Sequence, residues 1–296
     1  MLGWAIRVIF VVVLAAAVGA FAGGTWRGHD SAAAVAKPSA YNRVMAKRAL
    51  RCGYIAYPPI LVREPNTGQM SGFMVDLMAE IGQRLNLKID WAEEVGWANN
   101  VEGLLQGRYD ALCIGYWRSA KEGQYIDYTI PFFYSALGAF VRADDHRFDA
   151  GINLLNDQKV ALITTDGALA EVVARTDFPQ MKVRTLPNLA DISQLMTEIV
   201  TGKADVGFFE LMNSAQFSKS NPGKLRLLNP GQPLRVFQNT LGLPPNEPQL
   251  KSMLDSALYE MRDSGFIEKL LRKYEPEQGT MYRVAVPYVA PKHEGQ

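Results

Sequence analysis

The chain has 296 residues, 48% hydrophobic and 21% charged, enough to fill the cores of one large or two modest globular domains, which sets aside a disordered or fibrous chain. A formal net charge of +1, with no basic stripe carrying interleaved aromatics, gives no electrostatic reason for a nucleic-acid partner. His29, His146 and His293 lie far apart, and there is no HExxH, paired CxxC, phosphate-cradling glycine loop or Gly-x-Ser-x-Gly elbow, so no metal, cofactor or nucleophile site is expected and the chain reads as a non-enzyme.

Residues 8–24, "VIFVVVLAAAVGAFAGG", are uncharged. The run is a little long for a signal h-region and only just long enough to span a bilayer. Ala20 and Ala22 flank Phe21 at the spacing a signal peptidase reads, so 1–22 is expected to be a cleaved signal peptide, with a retained N-terminal anchor as the alternative. On either reading the remainder is exported, to a periplasmic location, and membrane contact is confined to an uncleaved N-terminus. Residues 23–40 have few large apolar residues and no period, and read as a flexible tether.

"YNRVMAKRAL" predicts a short helix feeding a strand, "LRCGYIA", which stops at Tyr57-Pro58-Pro59 because proline supplies no ladder donor. "SGFMVDLMAEIGQRLNL" carries Phe73, Leu77, Met78, Ile81 and Leu85 as a helical stripe, followed by the strand "KIDWAEE". "NNVEGLLQGRY" is a helix ending near Gly107, and "DALCIG" a strand. Strand, helix, strand, helix, strand is the signature of a parallel sheet covered by helices. Cys52 and Cys113 each sit in one of these apolar strands. Two buried thiols is the favoured reading, with a disulfide in an oxidising compartment as the alternative.

A long strand, "SALGAFVRA", leads out of this unit into a second: strand "KVALIT", helix "ALAEVVART", strand "MKVRTL", helix "ADISQLMTEIVTG" and strand "DVGFFE". "NTLGLP" predicts a return strand, and the helices "PQLKSMLDSALYEMRDSG" and "FIEKLLRKYE" close the chain before a tail. The expected fold is therefore α/β, with two Rossmann-like lobes in series and a ligand cleft outside the carboxyl ends of their strands. The expected spans are 41–140 for the first part of lobe one, 141–240 for lobe two, 241–276 for the return to lobe one and 277–296 for the tail.

From Asn42 to about Glu275 the chain resembles the bacterial extracellular solute-binding proteins of the polar amino-acid type, which have the two-lobed type II periplasmic binding fold. The resemblance is carried by "LRCGYIAYPPI", "GQMSGFMVDLMAEIGQRL", "WANNVEGLLQGRYDALCIG", "IDYTIPFFYSALGAFVR", "GKADVGFFE" and "SGFIEKLLRKY" in that order. It implies crossover strands near Phe140-Val141 and Leu241-Gly242, hinge closure over a small solute, and delivery by a monomer to the membrane permease of an ABC-type importer.

By the same resemblance "GYWRSAKEGQYIDYT" is the ligand segment of lobe one. Glu122 stands where the family usually has the arginine that grips an amino acid's carboxylate. Thr165-Asp166-Gly167 matches the family's Gly-Thr-Thr at a helix N-terminus, and Glu210 falls where the family has an acid that receives the ligand's amino group. Tyr54, Tyr57, Trp97 and Trp117 are expected to supply aromatic walls suited to a cation, and Ser119 a hydroxyl. These substitutions point to a cationic or neutral solute, not an α-amino acid held by its carboxylate. Local readings stand beside each of these. Glu122 pairs with Arg118 or Lys121; Arg118 itself replaces the missing cation; Asp166 caps its own helix; Ser119 is a local cap; Trp97 is core; Tyr57 is a turn residue. The alternative functions are a ligand-binding sensor or accessory protein without transport, and a dehydratase-like enzyme in which Glu122 and Glu210 form an acid–base pair.

Overall fold

The structure is a computed structural model that describes residues 39–284. The expected signal peptide or anchor, the tether up to residue 38, and the end of the tail lie outside the described residues.

The first helix, α1 (Ala40–Lys47), starts where the Ser39 hydroxyl accepts the Asn42 N–H, and the buried Glu247 carboxylate accepts the N–H groups of Ala40 and Tyr41. Strand β1 (Ala49–Tyr54) follows, then the Tyr57-Pro58-Pro59 turn, whose Pro58-Pro59 bond is cis, and a small hairpin of β2 (Val62–Arg63) and β3 (Met70–Ser71). Helix α2 (Phe73–Leu85) buries Phe73, Leu77, Met78 and Ile81 completely, as its stripe predicts. Its entry needs glycine: Gly72 has φ 116°, and a Cβ there would sit 2.6 Å from the Ile60 carbonyl oxygen. Strand β4 (Lys88–Glu94), helix α3 (Asn100–Gln106, ended by Gly107) and strand β5 (Ala111–Trp117) complete the first unit.

The chain continues through a 3-10 turn at Glu122–Gln124, β6 (Asp127–Tyr128), β7 (Phe133–Arg142), β8 (Ala161–Thr165), helix α4 (Leu169–Asp177), β9 (Lys182–Leu186), helix α5 (Ile192–Val200) and β10 (Val206–Glu210). Helix α6 (Leu211–Ser220), β11 (Leu225–Leu227), β12 (Arg235–Leu243), α7 (Pro248–Asp263) and α8 (Phe266–Tyr274) end the described fold.

The main sheet runs β4-β1-β5-β12-β7-β10-β8-β9. Pairs β4–β1–β5 are parallel on one side, and β10–β8–β9 are parallel on the other. Between them lie β12 and β7, antiparallel to each other, with Arg235–Asn239 opposite Phe133–Leu137. The chain thus crosses between lobes twice, side by side. The resemblance placed these crossings at Phe140-Val141 and Leu241-Gly242; both pairs lie in the same strands, beyond the stretch where β7 and β12 pair, with β10 and β5 or β6 as their partners instead. The apolar side chains follow the same division. One large core joins α1, α2, α7 and α8 to β1 and β5, and two smaller cores cover the two faces of the β10–β8–β9 side.

Two expectations are corrected here. Cys52 and Cys113 are not free thiols: they form a disulfide between adjacent strands β1 and β5, with a Cα separation of 5.3 Å. Parallel pairing of Cys52 with Ala111 brings residue 113 onto the same face, a register that two separate strand predictions do not contain. The tail reading fails for its first part. Tyr282 bridges to Tyr134 of β7, Met281 is buried, and the Arg283 guanidinium pairs with Glu268 and Glu275.

Candidate functional site

Loops after β1, β4, β5, β8 and β10 leave the carboxyl ends of the parallel strands and face one another, where open α/β sheets hold ligands. They line a partly open cavity of about 700 Å³. Tyr57, Trp97, Trp117, Ser119, Glu122 and Glu210 all line it.

Glu210 ends β10 and is the cap residue of α6. It is 4% exposed, and its Oε2 has no hydrogen-bond partner among the described residues. Burial pushes its carboxyl up to about 7, against hydroxyls of Ser135 and Tyr57 that pull the other way. The Tyr57 phenol is in turn raised well above its ordinary value, by burial first and by Glu210 second. Tyr57 meets Trp97 edge to face, with ring centroids 5.7 Å apart. Trp117 donates its indole N–H to Ser135 at 3.1 Å and stacks on Phe237, with centroids 4.2 Å apart and planes 13° from parallel.

Glu122 has a different environment. Its Oε1 lies 2.8 Å from the Tyr116 hydroxyl, which is also 2.8 Å from Asn100 Oδ1, and its Oε2 accepts from the Ser119 hydroxyl at 3.0 Å. The Ser119 hydroxyl also accepts the Glu122 N–H at 3.1 Å, so serine and glutamate hold each other locally, while the Ser119 N–H is directed to the Tyr128 hydroxyl and not to the Glu122 carboxylate. Burial and Glu122 together push the Tyr116 phenol far up. The anticipated pairing of Glu122 with Arg118 or Lys121 does not form; the Arg118 guanidinium lies over the Tyr128 ring, 5.1 Å from its centroid.

Tyr54 and Asp166 are not in the lining. On β1, Tyr54 shares the face of Leu50 and Cys52 and packs edge-on to Trp91, with centroids 5.7 Å apart. Asp166 is exposed, and it caps nothing: Gly167, at φ 77°, turns the chain after it, and Ala168 is the cap residue of α4 with no side-chain bond. Leu169 and Ala170, in the first turn of α4, line the cavity, and no side chain caps the amides of that turn.

Sequence reasoning did not single out Phe237, Tyr125 or the helix α6. The acidic lining groups are the inner ones, Glu210 buried and Glu122 half-buried, whereas the basic ones, Arg118, Lys121 and Arg235, are exposed. The cavity thus runs from a negative, aromatic floor to a positive rim. Among the described residues no cluster of three or more His, Cys, Asp or Glu side chains could hold a metal ion, and no helix is long and apolar enough to cross a membrane.

The model of the bacterial extracellular solute-binding proteins, family 3, matches residues 50–277. The L-cystine-binding protein TcyA of Bacillus subtilis (strain 168) is 19% identical over 223 residues, covering 74% of this chain and 77% of its own. Among solved structures, the ancestral amino-acid-binding protein AncCDT-1, described as a precursor of cyclohexadienyl dehydratase, superposes with a TM-score of 0.71 at 21% identity, over 80% of this chain and all of its own. A putative binding component of an ABC transporter from Wolinella succinogenes DSM 1740, complexed with lysine, gives a TM-score of 0.70 at 20% identity, over 78% of this chain and 97% of its own. These structures share the two-lobed fold.

Proposed function

The chain belongs to the bacterial extracellular solute-binding proteins, family 3, and from that premise we propose that it captures a small polar solute bearing a cationic group and delivers it in the periplasm to the permease of an ABC-type importer. The observation that carries the solute class is the buried Glu210 carboxylate with one oxygen unpartnered at the cavity floor. A buried acceptor without a partner costs about 1–3 kcal/mol, more when charged, and a cationic donor in the solute removes that cost. Tyr57, Trp97 and the Trp117–Phe237 stack present ring faces and edges around it, and a cation over an aromatic face gains about 0.5–2 kcal/mol.

Glu122 makes the complementary argument. Both its oxygens are taken by Tyr116 and Ser119, so it acts as a fixed negative wall that repels a carboxylate at the place where the resemblance puts a carboxylate-gripping arginine. The relatives named above bind amino acids by their own descriptions, L-cystine and lysine among them, which supports an amine-bearing solute here. Binding without turnover fits the same relatives.

Native mass spectrometry of the exported protein tests the reading. The expected result is a co-purified amine that is retained by Glu122→Gln and lost by Glu210→Gln. A co-purified acid with no basic group would overturn it.

A further inference from the structure

The lobes already touch along one side of the cleft. Asn188, after β9, packs against Gly96, where a Cβ would sit 2.6 Å from the Asn188 side-chain amide carbon. Gly167 backs onto Ala98, where a Cβ would come within 2.8 Å of the Ala98 Cα. From α6, Asn213 donates to the Pro58 carbonyl. About 700 Å³ nevertheless remains, in a cleft that is still partly open to solvent. At roughly 30 Å³ per water, that is the space of about twenty waters, and an α-amino acid of about ten non-hydrogen atoms fills less than half of it.

The surplus space has its own chemistry. Leu169, Val172 and Thr176 form an i, i+3, i+7 stripe of α4 that lines it, with Tyr125 and the Trp117–Phe237 stack as further walls. Val172 and Tyr125 are each 52% exposed, apolar surface left open at the cavity. At the rim, neither Arg118 nor Lys121 has a carboxylate partner among the described residues, whereas Arg235 is paired with Asp177 at 2.6 Å. The cavity therefore has a buried carboxyl with an unpartnered oxygen at Glu210, largely apolar side chains along α4, and two exposed cations without a carboxylate partner among the described residues.

We infer that the solute is bipolar with separated charges: a cationic group at Glu210, an apolar span along the α4 stripe, and an anionic group at the rim met by Arg118 and Lys121. This rests on the proposed seating of a cation at Glu210 and names the rest of the molecule. An ω-amino acid, or another zwitterion whose charges stand several bonds apart, has this form; an α-amino acid has both charges on one carbon. The competing seat for an anion is the start of α4, whose first-turn residues also line the cavity and whose amides no side chain caps, and it would favour adjacent charges.

The test uses two isomers, 6-aminohexanoate and L-leucine, with hexylamine as the amine lacking an acid, in calorimetry on the full exported chain. The ω-amino acids of four and eight carbons bracket the length. The expected result is that at least one ω-amino acid binds ten-fold or more tighter than L-leucine and than hexylamine. Arg118→Ala combined with Lys121→Ala should bring that ligand down to the hexylamine level and leave hexylamine within two-fold. L-leucine binding as tightly as every ω-amino acid, with Glu210→Gln still abolishing it, would overturn this inference and leave the cation seat standing. No detectable binding of any ω-amino acid would overturn it too. Hexylamine binding that is indifferent to Glu210→Gln would instead remove the cation seat on which it rests.

Discussion

The two acids of the cleft stand on differently built supports. Glu122 follows β5, the strand stapled to β1 by the Cys52–Cys113 disulfide, and its two oxygens are held by Tyr116 and Ser119. Glu210 ends β10, is more deeply buried, and keeps one oxygen without a partner. The first carboxylate is used by its own segment to fix a wall. The second is buried at the expense of stability and leaves one oxygen open in the cavity lining. Similar residues in one cavity thus differ in role because their local hydrogen bonding differs.

That contrast can be broken from its strongest side first. Replacing Cys52 and Cys113 together by alanine removes a cross-link that closes a loop of sequence separation 61, which chain-entropy scaling values at about 4 kcal/mol. Denaturant unfolding should show a loss of that order, with amine binding at Glu210 retained. Loss of binding equal to that of Glu210→Gln would mean that the braced wall, not the open floor, carries recognition.

The next effect depends on pH. The carboxyl of Glu210 rises from an ordinary 4.5 to about 7 in the folded chain, so the folded state holds this proton more tightly than the unfolded state does. The associated stability is complete below about 4.5 and is lost as pH rises through about 7, by about 3 kcal/mol at about 1.4 kcal/mol per tenfold. Glu210→Gln should therefore match the parent near pH 4 and melt higher near pH 8. A variant that is less stable near pH 8 would show the carboxylate to be internally satisfied.

Smaller effects sharpen the lobe-one side and the closure. Tyr116→Phe leaves Asn100 and Glu122 without their shared hydroxyl, and should cost about 1–3 kcal/mol in thermal or denaturant unfolding while leaving the Glu210 proton affinity unchanged. Asn213→Ala removes a hydrogen bond between the lobes and should lower solute affinity by no more than about ten-fold, since a neutral hydrogen bond is worth about 1 kcal/mol.

Much of this architecture is legible in the sequence, because strongly periodic segments declare themselves. The α2 stripe and the run "KIDWAEE" appear where expected, the latter alternating in burial along β4. Helix α6 was not legible: "LMNSAQFSKS" has three serines and an asparagine, residue types that favour caps and turns over helix interiors, and little of it is buried beyond Met212, Asn213 and Ser214. The disulfide and the fate of Tyr54 both depend on strand register, which single-strand patterns do not carry. At the site, Glu210 was readable from its place at a strand's carboxyl end. The local capping of Glu122 by Ser119 was readable from "SAKE", whereas its bond to Tyr116 needed the fold.

The sharpest test sets the two acids side by side. Hexylamine is titrated calorimetrically into the parent chain, Glu122→Gln and Glu210→Gln at pH 8. A charge-assisted hydrogen bond of about 1.5–3 kcal/mol predicts a loss of roughly ten- to a hundred-fold for Glu210→Gln, against a change below about three-fold for Glu122→Gln. Equal losses, or a larger loss for Glu122→Gln, would contradict the assignment of the open carboxylate as the seat of the cation.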